Sequence, residues 1–427
     1  MTRHENVAVV GAGVSGLGVV HELRKRGVGA VCFEGSDKPG GVVRTVLDGG
    51  RVLELGPQRL RLTPPVEALV DELDLRDEMR EGDDDAPLYV YHDDQLRVAP
   101  LSVREAVTTD LLSWRSKARV LAEPLTRPPQ EGETVDRLLT RKFGREAARR
   151  FLGPLYSGLY GTPVDEMPAE YSAVRALEQA GVRRSVLVWA AKKLLKGRDA
   201  PPVFTFDDGL ARLPEALYDA HADAVRFGES VERVERDGDG YVVTTQATAT
   251  RADEVVVTTP APTAGDILEG VAPSANVLRR LSYNPIGVVH LRSGYDGDGI
   301  GVLVPDYEDA RVSGLTWNAS FLGRDQVFTC YVDPWSLPGM SDFTDDELAE
   351  VAVNEFERIT GASAESLHVH RWVPGMPAYD KTWDALDDLD LPDGVHLCTN
   401  YVERAGVTGR LAHARRIADG IADDGND

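Results

Sequence analysis

Short apolar runs and stretches of helical period follow one another along the chain. Val7 to Val10 is fully apolar, as suits a strand buried in a parallel sheet, and it empties into a run of glycines. A helix continues through His21 to Lys25 and ends at Gly27, and Ala30 to Phe33 is a second apolar strand. Arg51 to Leu55 is strand-like. Pro64 to Arg80 has helical period, with Val66, Leu69, Val70, Leu73 and Leu75 apolar. Tyr89 to Val98 reads as a hairpin turning at Asp93 and Asp94. From Ser102 to about Lys196 the pattern is helical: Val103 to Leu112, Ala118 to Leu125, Thr134 to Phe143, Glu146 to Tyr156, Ala169 to Gln179 and Val182 to Leu195. Pro214 to Ala222 is helical, and Val225 to Phe227 begins the return to the first sheet. SVERVERDGDGYVVTT is a strand, a turn and a strand, and ADEVVVTTPAP adds another buried strand. From about Ile267 to Asp380 the stretches VVHLRSGY, GVLVP, VSGLTWNASF and VFTCYVD alternate or run apolar, predicting a second, mostly antiparallel sheet. A last strand reaches Cys398 and Thr399, and Gly406 to Gly409 opens a closing helix.

The glycines give the first strand its meaning. Gly11, Gly13 and Gly16 stand as GxGxxG within Gly11-Ala12-Gly13-Val14-Ser15-Gly16. Gly11 allows the tight turn, Gly13 lets backbone approach a pyrophosphate, and Gly16 lets the helix pack on the strand. The pyrophosphate then meets free helix-end N–H groups. Glu34, at the end of the second strand, can accept from both ribose hydroxyls of an unphosphorylated ribose. Strand, helix, strand and acid in register predict a dinucleotide site. Gly40-Gly41-Val42-Val43-Arg44-Thr45 then offers a second cofactor contact, its glycines lying against a flat or charged ligand and Arg44 holding a phosphate or facing a ring system.

Composition narrows the surroundings. The 427 residues suffice for two or three domains, and a formal charge of -23 with pI near 4.8 leaves no basic face for nucleic acid. The acids are spread along the chain and Lys is scarce beside Arg, a pattern suited to a salt-rich cytoplasm, where screening lengths shrink to about 3 Å at 1 M. Cys32, Cys330 and Cys398 are odd in number and far apart, implying a reduced compartment without a disulfide framework. Neither a signal peptide nor the roughly 18 apolar residues of a membrane span is read. The expected location is cytoplasmic. Lys192, Lys193 and Lys196 after the apolar Val186 to Ala191 leave two readings open: peripheral contact with the inner face of the cell membrane, or the solvated end of a core helix.

Glu54-Leu55-Gly56-Pro57, after the glycine motif, Glu34 and the Gly-Gly-Arg run, resembles the flavin-binding superfamily of amine oxidases, phytoene desaturases and protoporphyrinogen oxidases. The resemblance implies FAD. It is most specific in TVDRLLTRKFGREAARRFLGPLYSGLYGTPVDEMPAEYSA, Thr134 to Ala173, and PPVFTFDDGLARLPEAL, Pro201 to Leu217, which are similar to the oxygen-dependent protoporphyrinogen oxidases. The expected fold is therefore α/β: a Rossmann-like FAD-binding domain with an antiparallel-sheet substrate domain and a helical insertion. The FAD-binding parts are 1–62, 201–266 and 386–427, the helical insertion 63–200 and the sheet domain 267–385.

Within that resemblance the cofactor contacts extend to Gly56, to Val231 at the adenine, to Thr259, and to Gly406, Val407 and Thr408. Amide groups at the start of the last helix would face the flavin pyrimidine edge and favour negative charge there. This last segment departs from the family pattern around Asn400. Cys398 invites a covalent flavin link, against the simpler reading of a buried strand thiol. GIGVLVPDYEDARVSGLTWNASFLGRD resembles the segment lining the family's tetrapyrrole pocket, with Ile300 in place of a Phe. The implied reaction is oxidation of protoporphyrinogen IX to protoporphyrin IX in heme biosynthesis, with O2 reoxidising the flavin. Product aromaticity drives it, so no catalytic side chain is assigned. Arg61 is expected to hold a substrate propionate, with Arg59 as the fallback, and Ile300, Leu303 and Leu315 to clasp the macrocycle. His368 and His370 form an HxH pair without partners for a metal. Coproporphyrinogen, amine or polyene oxidation, a flavin-dependent sugar mutase and a non-catalytic flavin protein remain as alternatives. Oligomeric state is left open.

Overall fold

The computed structural model describes residues 3–182, 184–195, 200–403 and 406–424. Its first sheet orders the strands Val225–Phe227, Ala30–Glu34, Arg3–Val10 and Ala249–Val257, all parallel, and then the antiparallel hairpin Gly240–Thr245 and Val231–Asp237. Ala249–Val257 also pairs through Val255 to Val257 with the short strand Val395–Leu397. The apolar runs are explained by this position: Val7, Ala8, Val9, Val255, Val256 and Val257 are wholly buried, with helices on both faces. The Val14–Lys25 helix and the closing Val407–Asp424 helix pack side by side on one of those faces, where a Cβ on Gly18 would meet Leu411 and Ala414 at 3.1 and 3.5 Å.

The second sheet runs Ala364–Pro377, Tyr283–Ser293, Val327–Val332, Gly314–Thr316, Gly301–Leu303, Leu88–His92, Gln95–Val98. It is antiparallel except where Gly301–Leu303 lies parallel to Leu88–His92. The Leu88–Val98 hairpin turns through left-handed Asp93 and Asp94 and completes this sheet, although it precedes the helical run in sequence. The Asp345–Thr360 helix, opened by a Thr344/Glu347 capping box worth about 1 kcal/mol, covers the outer face. The inner face meets the helical segment and the cofactor loops. Ala147 and Phe151 pack there against Leu88 and Val90.

Several local expectations change. The helix predicted over Pro64 to Arg80 stops at Glu72; Asp74 is left-handed, and Met79–Glu81 becomes a strand because Val203–Phe206 pairs with it. The predicted Glu146 to Tyr156 helix is interrupted by a π-helical turn at Ala148–Leu152. In the lysine cluster Lys192 is exposed; Lys196 and the side chain of Lys193 lie outside the described residues. Among the described residues no helix is long and apolar enough to cross a membrane.

Candidate active site

Three glycine-bearing loops abut at the carboxyl edge of the parallel sheet. Gly11 has φ 101° and donates its amide to Phe33 O at 2.8 Å, and a Cβ on Gly16 would lie 1.9 Å from Gly11 O. Gly40 donates to Ala12 O at 2.9 Å, which sets Gly41 against Gly13; a Cβ on Gly13 would lie 3.8 Å from Gly41 Cα. A Cβ on Gly56 would overlap Val42 O at 2.0 Å. At Gly16, Gly40 and Gly56, where a Cβ would come within 1.9, 2.6 and 2.0 Å of a main-chain oxygen, only glycine permits this nesting of backbone on backbone. Val14 and Ser15 occupy the first helical turn and are buried. Glu34 Oε2 accepts the Ala12 amide at 2.8 Å and its Oε1 the Ser36 amide at 2.9 Å, so the acid also braces the turn.

The other expected cofactor residues arrive from separate segments. Val43 is core, Val42 is exposed, and Thr45 donates its hydroxyl to Glu54 Oε2 at 2.8 Å. The Arg44 guanidinium stands 5.7 Å from the Trp372 ring, and its Nε is buried without a partner. The Glu229 amide donates to Glu34 O at 2.9 Å, which brings the buried Val231 beside the end of the second strand. Thr258 donates its hydroxyl to Val10 O at 2.8 Å, and the neighbouring Thr259 hydroxyl is buried and unpartnered. Gly406, at φ 105°, leads into the last helix, where Val407 is buried and Thr408 half-buried. A glycine cradle closed to any side chain, with orphaned polar atoms on Arg44 and Thr259 nearby, fits a dinucleotide.

A further set of residues, not found by sequence reasoning, ties the Glu54 to Gln58 loop to the second sheet. His290 Nε2 lies 3.0 Å from Glu54 O, Trp372 Nε1 donates to Leu55 O at 2.7 Å, and Asn318 Nδ2 donates to Gln58 Oε1 at 2.7 Å. Burial lowers the His290 pKa to about 4, with His368 and His370 on the same strand face adding to the effect. Burial raises the Glu54 carboxyl to about 7 against the Leu210 amide and Thr45 hydroxyl that favour its ionised form. The signal for these contacts was only the period-two pattern, which does not name partners.

On the substrate side the two arginines part company. Arg61 donates to Pro201 O at 2.7 Å, has Asp84 at 3.6 Å, and lies on an exposed strand position. Arg59 has an exposed side chain, and desolvation by its surroundings lowers its pKa. It lies 4.7 Å over the Phe321 ring and has no ion pair among the described residues; Tyr331 faces it. Ile300 and Leu303 are half-buried against the inner cluster of Leu88, Val90 and Phe151. Leu315 is a correction: it is 4% exposed and packs on the outer face with Trp317 and Phe328, because its strand parity points it away from the cofactor side. Beyond the inner cluster a cavity of about 650 Å³ separates the helical segment at Arg145, Arg149 and Pro154 from Val304, Tyr307 and Trp335. At its margin His92 Nδ1 lies 2.7 Å from Glu308. All three cysteines are free and buried; the Cys398 thiol is pushed up to about 12 by burial, which makes it a poor nucleophile.

A family model for flavin containing amine oxidoreductases matches residues 14–422. The chain belongs to that family. It is an FAD-dependent oxidoreductase. Among curated relatives of this oxidoreductase, chloroplastic protoporphyrinogen oxidase 1 of Spinacia oleracea is 26% identical, over 97% of this chain and 84% of the relative. Coproporphyrinogen III oxidase of Mycobacterium leprae is 27% identical over 97% of both chains. Solved structures show the fold: cyclohexylamine oxidase of Brevibacterium oxydans matches with TM-score 0.73 at 17% identity, covering 99% of this chain and all 100% of the other. Reduced UDP-galactopyranose mutase matches with TM-score 0.71 at 15% identity, covering 98% and 95%.

Proposed function

We propose that this oxidoreductase oxidises a porphyrinogen, with protoporphyrinogen IX as substrate, protoporphyrin IX as product and O2 as the final electron acceptor. The observation that carries the reading is Arg59, an exposed guanidinium with no ion pair among the described residues, 4.7 Å over the Phe321 ring, against which the apolar Ile300 packs. Such a surface suits a flat apolar ring system bearing carboxylates, since Arg binds a carboxylate through two parallel hydrogen bonds. The names of the curated relatives, porphyrinogen oxidases over nearly the whole chain, support the same substrate class.

Bound FAD supplies the two-electron acceptor. This chain's residues bind and orient. Arg59 anchors a propionate, Ile300 and Leu303 present apolar surface to the macrocycle, and the His290, Trp372 and Asn318 contacts fix the Glu54 to Gln58 loop between cofactor and substrate. No strong protein base is needed, because pyrrole N–H protons pass to solvent as the ring becomes aromatic. Each two-electron round consumes one O2 and releases one hydrogen peroxide, so three rounds convert the porphyrinogen to the porphyrin.

Coproporphyrinogen III is the second reading, favoured by the Mycobacterium leprae relative, which matches this chain over 97% of both lengths. Parallel assays of purified protein with proto- and coproporphyrinogen under air, following porphyrin fluorescence and peroxide, separate the two. Product from neither would remove the substrate class.

A further inference from the structure

Arg410 lies in the first turns of the Val407–Asp424 helix and is 9% exposed. Its guanidinium makes no hydrogen bond or ion pair with any described residue. Its main-chain oxygen accepts from Cys398 Sγ, and among the described residues the groups that counter its desolvation are the Cys398 thiol and the Tyr379 phenol. Many other arginines are paired, as in Arg212 with Glu78 at 2.7 Å and Arg24 with Asp223 at 2.8 Å. A buried cation without a counter-charge is destabilising, and in a chain of net charge -23 acids are in ample supply to neutralise it. The fold keeps this site open for an anion that arrives from outside.

Position identifies the anion. The closing helix runs in the same direction as the Val14–Lys25 helix: Leu411 and Ala414 oppose Gly18, and Asp419 bonds Arg26 eight residues further on. Arg410 is therefore level with Leu17, at the end of the first turn, and since helical side chains lean toward their helix N-terminus it reaches toward Val14 and Ser15, where the glycine loop opens. Cys398 directly follows the strand that pairs with Ala249–Val257, whose other neighbour ends at Gly11. Arg410 thus sits at the edge of the parallel sheet where a pyrophosphate binds, and the unpartnered Thr259 hydroxyl lies at the same edge.

We infer that Arg410 is the interior counter-charge for the diphosphate of bound FAD, acting from the closing helix opposite the glycine loop. The inference rests on FAD binding, and its failure is separable from failure of that reading. Arg410→Met keeps the volume and removes the charge; Arg410→Lys keeps the charge. Purified apoprotein is titrated with FAD by flavin fluorescence, and its melting temperature is recorded with and without FAD. In Arg410→Met the FAD dissociation constant rises at least tenfold while the apoprotein melts no lower than wild type, since an uncompensated charge has gone; Arg410→Lys recovers part of the affinity. A purely structural arginine gives the opposite, a lower apoprotein melting temperature with unchanged FAD affinity, and overturns the inference. A changed flavin midpoint potential with unchanged affinity for oxidised FAD assigns the charge to the reduced ring and also overturns it. Wild-type protein that binds no FAD removes the parent reading instead.

Discussion

The His290 Nε2–H donates to the main-chain oxygen of Glu54 across 3.0 Å, joining the floor of the second sheet to the loop that follows the cofactor strand. The acceptor fixes the tautomer, so Nδ1 carries no proton and lies buried without a partner. Burial lowers the folded-state pKa from 6.5 to about 4. A base whose pKa is depressed by folding contributes stability above its unfolded pKa and loses it on acidification. Denaturant melts should therefore show a loss between pH 6.5 and 4 in wild type that is smaller in His290→Gln. An identical acid limb in both proteins contradicts the assignment.

Glu54 works in the opposite direction. Its folded pKa is raised from 4.5 to about 7, so its contribution is present below the lower value and lost as pH rises through the higher one. Glu54→Gln retains an acceptor for the Leu210 amide, reverses the Thr45 bond so that the hydroxyl accepts, and removes the ionisation. Relative to wild type it should gain stability between pH 5 and 8, by about 3 kcal/mol at most. A difference between the two proteins that does not change with pH counts against the raised pKa.

The nesting of loops predicts a narrow tolerance at Gly56. A single methyl there would sit 2.0 Å from Val42 O and displace the Gly40-Gly41 loop from the glycine turn. Gly56→Ala should weaken FAD binding at least tenfold, measured by equilibrium titration, with a smaller change in the melting temperature of the apoprotein. Full flavin content at micromolar protein after gel filtration would argue against the cradle.

The nested glycine turns were readable in the sequence because their residues are local: Gly11, Gly13, Gly16, Glu34 and the Gly40-Gly41 pair are set by backbone needs a few residues long, whereas Val231, Thr259 and Gly406 to Thr408 come from distant segments and rest on the resemblance alone. The substrate half was not readable. Leu315 and Leu303 belong to paired strands, and which of them faces the ligand depends on the parity of each strand, which the apolar pattern alone does not give. Arg61 reads from sequence as well as Arg59, but Arg61 lies on the short Leu60–Arg61 strand and reaches Pro201, while Arg59 precedes that strand and lies over Phe321, and both partners are distant in sequence. The Pro64 helix was read too long because Met79–Glu81 owes its extended form to Val203–Phe206, more than a hundred residues away. His290, Trp372 and Asn318 contact the loop across comparable separations and left no local trace.

That contrast sets the next prediction. Arg59→Met should raise KM for the porphyrinogen by about 10 to 100-fold, the range of a lost charge-assisted hydrogen bond, while leaving flavin content intact. Arg61→Met, whose wild-type partners are Pro201 and Asp84, should change KM less than threefold. The reverse order would restore Arg61 as the anchor.

The net charge of -23, with acids spread over the whole chain, predicts salt dependence of the fold. Screening at molar salt shortens the range of repulsion to about 3 Å, so the melting temperature should climb between 0.1 and 2 M KCl. A melting temperature indifferent to salt would remove the salt-rich cytoplasm from the account.

The most direct test of porphyrinogen oxidation is the visible spectrum of purified, FAD-loaded protein before and after anaerobic addition of protoporphyrinogen IX. Bleaching of the oxidised-flavin bands with appearance of porphyrin absorption, and return of the bands with peroxide on admission of air, is the predicted result. Flavin bands that persist unchanged with either proto- or coproporphyrinogen would contradict it.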